Sequence, residues 1–208
     1  MTATTDLHAM GQSIWLDNIT REMLDDGTIA GFIKDMSVTG LTSNPSIFQK
    51  AIAGSEEYDE SIRRHLEAGL SGEDLFFELA IEDLRRACDL FAPVHESTDG
   101  LDGWCSLEVS PLLANDTAST IEQARRLHAK ADRRNLYIKV PGTPEGVAAI
   151  EELTYAGIPV NVTLLFSIEQ YLAAADAYIR GLERRVEAGM EPTGCSVASL
   201  FISRWDVK

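Results

Sequence analysis

Short apolar runs alternate with amphipathic segments along this chain. The runs are rich in β-branched and other apolar residues, and glycine, proline or asparagine lies near each of them, which is typical of buried strands. We therefore predict six strands, within Ser13–Asn18, Val38–Asn44, Gly103–Ser110, Asn135–Val140, Ile158–Leu164 and Gly194–Ile202.

Four of the segments between these runs predict helices. Two of them, Asp74–Phe91 and Ile168–Val186, carry apolar residues at three- and four-residue spacings near one face. Thr117–Ala131 and Pro144–Leu153 have a weaker pattern that is compatible with helix. Serines precede two of the four segments, as is common at helix starts, and these are Ser71 and Ser167.

Strands that alternate with helices predict a parallel sheet and an α/β fold. An open doubly wound sheet usually has a glycine-rich turn after its first strand, and SIWLDNITREM contains none. We therefore favour a (β/α)8 barrel. A closed barrel has eight strands and about 250 residues, so we expect residues 1–208 to form a single barrel domain with about six β/α units, incomplete at its C-terminal end.

Composition narrows the classes of partner. The net charge of −15 disfavours nucleic-acid and anionic membrane surfaces, although basic groups in a cleft can still bind small anionic substrates. The three cysteines have no C-x-x-C spacing and indicate free thiols in a reducing compartment. No secretory signal pattern and no run approaching ~18 apolar residues is present. A cytoplasmic location is the default expectation.

Polar residues interrupt the predicted strands at regular positions. Successive strand residues point to opposite faces, so Tyr137 and Lys139 should point into the barrel, away from Leu136, Ile138 and Val140. The same parity turns Leu164 toward the surrounding helices with Val160 and Val162, and it turns inward the polar residues Asp17, Ser106, Glu108, Asn161 and Thr163. Each lies toward the C-terminal part of its strand, where barrel enzymes build active sites.

These residue types indicate Schiff-base chemistry on a sugar phosphate. An inward lysine among apolar residues is partly desolvated, which favours the neutral, nucleophilic amine. Asp17 and Glu108 are candidate proton shuttles. The candidate substrate contacts are Asn44, Asn161, Thr163, Ser199 and Arg204. The four histidines have no paired spacing, which disfavours a metal-dependent mechanism.

Each candidate also has a structural interpretation. Lys139 or Arg204 could be an ordinary surface residue, and Asp17 could cap the helix that follows it. Asn44 could be a turn residue in T-S-N-P, and Asn161 with Thr163 could be a satisfied buried pair. We favour the functional interpretation because all of the structural ones would have to hold together at one end of the barrel.

The motifs T-S-N-P, S-L-E-V-S-P, I-K-V-P-G-T and N-V-T-L-L-F-S occur in this order, between S-I-W-L-D-N-I-T-R-E-M-L and V-A-S-L-F-I-S-R-W-D. From about Ser13 to the end, the chain resembles the transaldolases, particularly their longer bacterial and plant-type branch. The resemblance implies that Lys139 is the Schiff-base lysine and Asp17 the acid/base in C–C cleavage. It also implies that Glu108 and Thr163 hold a catalytic water.

The resemblance further implies substrate contacts. Asn44 and Asn161 would contact the sugar hydroxyls and the iminium region, and Ser199 and Arg204 would contact a hydroxyl and the phosphate. Phe201 stands where the related fructose-6-phosphate aldolases are expected to have tyrosine, which favours transfer over simple cleavage.

The implied reaction moves a dihydroxyacetone unit from sedoheptulose 7-phosphate or fructose 6-phosphate to an aldose phosphate, in the non-oxidative pentose phosphate pathway and without a cofactor. An aldolase that only cleaves and an inactive barrel fragment remain as alternatives. Family members continue through two more strands, so we expect a truncated chain that lacks a further phosphate-binding arginine. The oligomeric state stays open between monomer and dimer.

Overall fold

The computed structural model describes residues 2–202. Its contacts divide these residues into two compact units. The first unit contains residues 2–107 and 130–136, and the second contains residues 108–129 and 137–202.

The first unit combines short parallel strands with helices. The strands are β1 (Trp15–Leu16), β2 (Gly40–Leu41) and β3 (Trp104–Glu108), which ends at the unit boundary; the helices are α1 (Ala3–Ala9), α2 (Arg21–Asp25), α3 (Thr28–Met36), α4 (Pro45–Ala53), α5 (Asp59–Glu67) and α6 (Gly72–Ser97). β2 pairs in parallel with β1 and β3, and Gly40 lies opposite both Trp15 and Trp104. Glycine is required there because a Cβ would lie 2.6 Å from the Trp15 indole.

A buried polar network joins three helical segments of the first unit. Arg21 Nε of α2 donates to Asp83 Oδ1 of α6 at 2.9 Å, and the Tyr58 hydroxyl donates to Asp83 Oδ2 at 2.7 Å. Arg21 also donates to Ser61 Oγ of α5 at 2.8 Å. Burial raises the pKa of the Asp83 carboxyl, against the opposing effects of Tyr58 and Arg21. The network fixes α2, the helix that follows β1, against α6.

The second unit repeats a strand–helix pattern. It contains the strands β4 (Leu136–Pro141), β5 (Val160–Leu165) and β6 (Ser196–Leu200) and the helices α7 (Thr117–Ala131), α8 (Pro144–Tyr155) and α9 (Ile168–Glu187). The first residue of β4 and the last two residues of α7 belong to the first unit. β5 pairs in parallel with β4 and β6, and Lys139 lies opposite Asn161. Within each unit the strands follow sequence order.

The six predicted strands and the four predicted helices are present, and the α/β class is confirmed. A strand order that follows the sequence agrees with about six units of a β/α barrel, whereas a doubly wound sheet reverses its order. The assignment of residues 1–208 to a single domain stays a prediction. The short helices α1 to α5 were not predicted, because each spans nine residues or fewer. In residues 2–202 no helix has the length and apolar character needed to cross a membrane.

The expectation that Leu164 is buried against the helices with Val160 and Val162 is wrong. Leu164 adopts a left-handed conformation, with φ of 57°, and the pairing of β5 with β6 shifts register between Val162 and Leu165. This bulge places Leu165 in the interior at 1% exposure and leaves Leu164 at 38%. An extra residue in a strand inverts the alternation of faces beyond it.

His128 of α7 should make the stability of the protein sensitive to acid. Its Nε2 is buried without a hydrogen-bond partner in the described part of the chain, and burial lowers the pKa of its imidazole. The folded state therefore holds neutral His128, and the unfolded state binds a proton first as pH falls. We expect the free energy of unfolding to decrease below pH ~6.5, by at most about 1.4 kcal/mol per pH unit. Denaturation curves should show a flatter pH dependence for His128→Leu, and an unchanged slope would contradict this prediction.

Candidate functional site

Lys139 and Glu108 form an ion pair in the second unit. Lys139 lies near the C-terminal end of β4, and its Nζ is 3.3 Å from Glu108 Oε2. Glu108 ends β3, and the next residue, Val109, donates its backbone N–H to the Lys139 carbonyl at 3.2 Å. The backbone bond holds the two segments side by side. The lysine is almost fully buried and the glutamate retains partial access to solvent.

The turn after Glu108 is anchored by a residue that the sequence analysis did not identify. The backbone N–H of Ser110 donates to Gln123 Oε1 of α7 at 2.6 Å, and Gln123 is buried. Its neighbour Ala124 and nearby Leu127 are also buried. A polar residue on the apolar face of a predicted helix is the signal that would have identified Gln123.

Asn161 lies beside Lys139 on the next strand. It is buried on β5, and Ser199 Oγ of β6 donates to its Oδ1 at 2.8 Å. This bond fixes the orientation of the Asn161 amide, because its oxygen faces Ser199 and its NH2 group points elsewhere. The two predicted substrate contacts are thus brought together.

Thr163 lies at the position of β5 that faces Pro141 of β4. It is buried, and its Oγ1 lies 3.5 Å from the Val140 carbonyl. The Thr163 carbonyl accepts from the Gly142 N–H at 2.6 Å. This bond and the bulge at Leu164 fix the end of β5 against the turn that follows β4.

The G-T-P-E-G segment after Lys139 starts a helix. Thr143 is the N-cap of α8, and its Oγ1 accepts from the Gly146 N–H at 3.0 Å. Gly146 packs so close to β4 that a Cβ would lie 1.8 Å from the Pro141 carbonyl oxygen. The glycine at this position therefore serves the close packing of α8 on the end of β4.

Asp17 and Asn44 follow strands of the first unit. Asp17 comes directly after β1 and is exposed. It does not cap α2, whose N-cap is Thr20. Asn44 does cap a helix: its Oδ1 accepts from the Ile47 N–H of α4 at 3.0 Å. Asn44 is thus a helix N-cap, whereas the structural interpretation from T-S-N-P was a turn residue.

The remaining predicted contacts follow β6. Phe201 is half-buried directly after the strand. Arg204 lies outside the described residues.

Comparisons with known proteins agree with the motifs. The family model described as transaldolase/fructose-6-phosphate aldolase matches residues 14–208. A protein of Thiobacillus denitrificans named transaldolase is 51% identical over 99% of this chain and 58% of its own length. Transaldolases of Trichodesmium erythraeum and Neisseria gonorrhoeae are each 47% identical, over 97% and 99% of this chain and 53% and 59% of their own lengths. The chain therefore spans little more than half the length of these relatives.

Proposed function

Because this chain belongs to the transaldolase/fructose-6-phosphate aldolase family, we propose that it supplies the Schiff-base lysine of a transaldolase. Lys139 attacks the carbonyl of a ketose phosphate, sedoheptulose 7-phosphate or fructose 6-phosphate, and the three-carbon unit passes to an aldose phosphate. The observation that supports this proposal is the buried Lys139 Nζ, 3.3 Å from Glu108 Oε2.

The proposed chemistry needs proton transfers at the nitrogen and at the substrate oxygens. The neutral amine adds to the C2 carbonyl, the carbinolamine loses water, and the resulting iminium accepts the electron pair of the C3–C4 bond when that bond breaks. The C4 hydroxyl gives up its proton, the aldose phosphate leaves, and an enamine remains. The enamine adds to the acceptor aldehyde, and water then releases the product and the lysine.

Glu108 suits the proton transfers at the nitrogen. Its carboxylate is close enough to receive a proton from the Lys139 ammonium, and its partial solvent access would admit the catalytic water. For Thr163 as the second residue that holds this water, the proposal rests on the sequence motifs. Asn161, oriented by Ser199, would hold a substrate hydroxyl. For Asp17 as acid/base, and for the substrate contacts of Asn44, Phe201 and Arg204, the proposal rests on the sequence motifs.

The reaction requires no cofactor, since the iminium itself is the electron sink. We place it in the non-oxidative pentose phosphate pathway, in the cytoplasm, with sugar phosphates as the substrates. Neither nucleic acid nor a membrane takes part in the proposed reaction.

Glu108→Gln should slow the reaction while keeping the shape of the site. A neutral amide cannot accept the proton from Lys139, and proton transfer by a positioned side chain contributes roughly 10²-fold or more to the rate. We therefore expect kcat to fall by about 10²-fold, with a smaller change in KM. Steady-state kinetics of Glu108→Gln beside Glu145→Gln, a control at the start of α8, would test this. Equal kcat values for the two variants would contradict the assigned role.

Borohydride trapping tests the proposed function. Reduction in the presence of fructose 6-phosphate should give a stable three-carbon or hexose phosphate adduct, which peptide mass spectrometry should map to Lys139. Adding erythrose 4-phosphate should yield sedoheptulose 7-phosphate. Glyceraldehyde 3-phosphate released without any transfer product would favour the aldolase alternative. An absent adduct, or an adduct at another lysine, would contradict both the transaldolase and the aldolase function and would favour an inactive fragment.

A further inference from the structure

Two chain segments, one after β3 and one after β4, are joined by threonine hydroxyls. Thr143 Oγ1, after β4, donates to the Ala114 carbonyl, after β3, at 2.6 Å. Thr117 Oγ1, at the start of α7, donates to the Glu145 carbonyl, in the first turn of α8, at 2.7 Å. Each segment thus supplies one donor and one acceptor to the other. We call this pair of hydrogen bonds the threonine clasp.

The Thr143 hydroxyl makes two bonds that use different parts of the group. It donates its proton to the Ala114 carbonyl, and the same oxygen accepts from the Gly146 N–H at 3.0 Å as the N-cap of α8. A hydroxyl has one proton to donate and lone pairs with which to accept. One atom therefore fixes the first turn of α8 against the segment that follows β3.

The segment after β3 is also bonded to α7. The Ser110 N–H donates to Gln123 Oε1, and Thr120 Oγ1 donates to the Leu113 carbonyl at 2.9 Å. Between these points the chain forms a short 3-10 helix, in which the Leu113 N–H donates to the Ser110 carbonyl at 3.1 Å. The backbone of this segment is therefore held by side chains from two directions, from α7 and from the segment after β4.

The clasp lies just beyond the residues of β3 and β4 that form the ion pair. The Val109 N–H donates to the Lys139 carbonyl at 3.2 Å, and Glu108 Oε2 lies 3.3 Å from Lys139 Nζ. Charge-assisted N–H···O bonds are usually roughly 2.7–2.9 Å long, so the longer separation of this pair is sensitive to small movements of either strand end. With the clasp closed, the chain from Glu108 to Ala114 and the chain from Lys139 to Thr143 form two sides of one hydrogen-bonded ring.

We propose that Thr143 and Thr117 are positioning residues, because their clasp keeps the Glu108 carboxylate within proton-transfer distance of Lys139. This role rests on the proposed function, in which Glu108 moves protons at the Schiff-base nitrogen. Those transfers belong to the chemical steps, whereas other residues bind the sugar phosphate. Opening the clasp should therefore lower kcat and leave KM nearly unchanged, since a displacement of about 1 Å can lower a rate by roughly 10²-fold.

Thr143 has a second role as the cap of α8, and a cap stabilises a helix whether or not a reaction takes place nearby. Thr117 differs in this respect. The start of α7 is capped by Asp116, whose Oδ1 accepts from the Ser119 N–H at 3.0 Å. Removal of the Thr117 hydroxyl therefore opens half of the clasp and leaves both helices capped, which separates the positioning role from capping.

Three variants and one control test the clasp. Thr143→Val and Thr117→Val each remove one donor with little change in side-chain volume, and Thr143→Ser keeps the hydroxyl. Thr98→Val is the matched control. Thr98 Oγ1 donates to the Val94 carbonyl at 2.8 Å and accepts from the Asp102 N–H at 3.0 Å, so this variant loses the same two kinds of bond as Thr143→Val, but in the first unit.

We expect Thr143→Val to lower kcat for transfer from fructose 6-phosphate to erythrose 4-phosphate by about tenfold, with KM within about twofold of the unsubstituted chain. Thr117→Val should lower kcat by about threefold, because one bond of the clasp remains. Thr143→Ser should keep kcat within about twofold, since the serine hydroxyl can make the same bonds. Thr98→Val should leave kcat unchanged even though its Tm falls, as the Tm of Thr143→Val also does.

A double variant shows whether Thr143 acts through the Glu108 carboxylate. In Glu108→Gln the group to be positioned is gone, so adding Thr143→Val should lower kcat by no more than about twofold further. A loss of about tenfold in both backgrounds would overturn the proposal, and so would equal kcat values for Thr143→Val and the unsubstituted chain.

The borohydride adduct distinguishes failure of this proposal from failure of the proposed function. An unsubstituted chain that forms no adduct at Lys139 would overturn both. An adduct at Lys139 together with an unchanged kcat in Thr143→Val would overturn only the positioning role of the clasp.

Discussion

Lys139→Met should abolish the borohydride adduct and lower kcat by roughly 10³-fold or more, which corresponds to about 4 kcal/mol of transition-state free energy. Without the amine no iminium can form, and nothing else on β4 can accept the electron pair of the breaking bond. Methionine keeps the apolar stem of the side chain, so the loss of activity should not reflect loss of the fold. Product formation and intact-protein mass spectrometry after reduction would measure both effects.

Lys130→Met is a control for the change from lysine to methionine. Lys130 is a partly exposed lysine that pairs with Glu78 of α6. Its replacement should leave both the adduct and kcat unchanged. An adduct that persists in Lys139→Met would assign the Schiff base to another residue, and thermal melting of both variants would establish that they are folded.

Asp83→Ala should destabilise the protein by roughly 3–5 kcal/mol, the range for removing one partner of a buried ion pair. The substitution removes the fully buried one of the two carboxylates that pair with Arg21, leaving Glu82 at 3.0 Å, and it removes the acceptor of the Tyr58 hydroxyl. For a protein of this size we expect Tm to fall by roughly 6–20 °C. Chemical denaturation followed by circular dichroism would give the free energy of unfolding directly.

Two controls separate the buried pair from a general effect of losing a carboxylate on α6. Asp89 lies on the same helix, but its ion pair with Arg133 is at the surface, so Asp89→Ala should cost no more than about 1 kcal/mol. The double variant Arg21→Met with Asp83→Leu should recover most of the stability lost in Asp83→Ala, because neither charge then remains buried. A double variant as unstable as Asp83→Ala would contradict this explanation.

The parts of the fold and site that depend on local pattern could be predicted from the sequence. The alternation of apolar and polar residues in Asn135–Val140 predicts β4 and singles out Lys139, because the strand runs without interruption. The same alternation fails at Leu164, where the bulge depends on pairing with β6 and has no local signature. Helices with a long apolar face were predicted, whereas short helices that depend on capping by Thr20 or Asn44 were not.

Contacts between residues that are far apart along the chain could not be predicted from the sequence. The bond from Ser199 to Asn161 crosses 38 positions, and the Arg21–Asp83 pair crosses 62. Both Ser199 and Asn161 were predicted as substrate contacts, but the sequence does not indicate that Ser199 orients the Asn161 amide. Arg21 and Asp83 are charged residues, which are mostly exposed in proteins. Only the folded chain shows that they are buried together.

The close approach of Gly40 to the Trp15 indole gives the protein an internal optical probe. The ring lies against the backbone of β2 with no side chain between them, so its fluorescence should report whether β1 and β2 are paired. The chain has two other tryptophans, Trp104 and Trp205, and phenylalanine at both positions would leave a single emitter. The pairing of β1 with β2 could then be followed in real time, separately from the pairing of β5 with β4, the strand that carries Lys139.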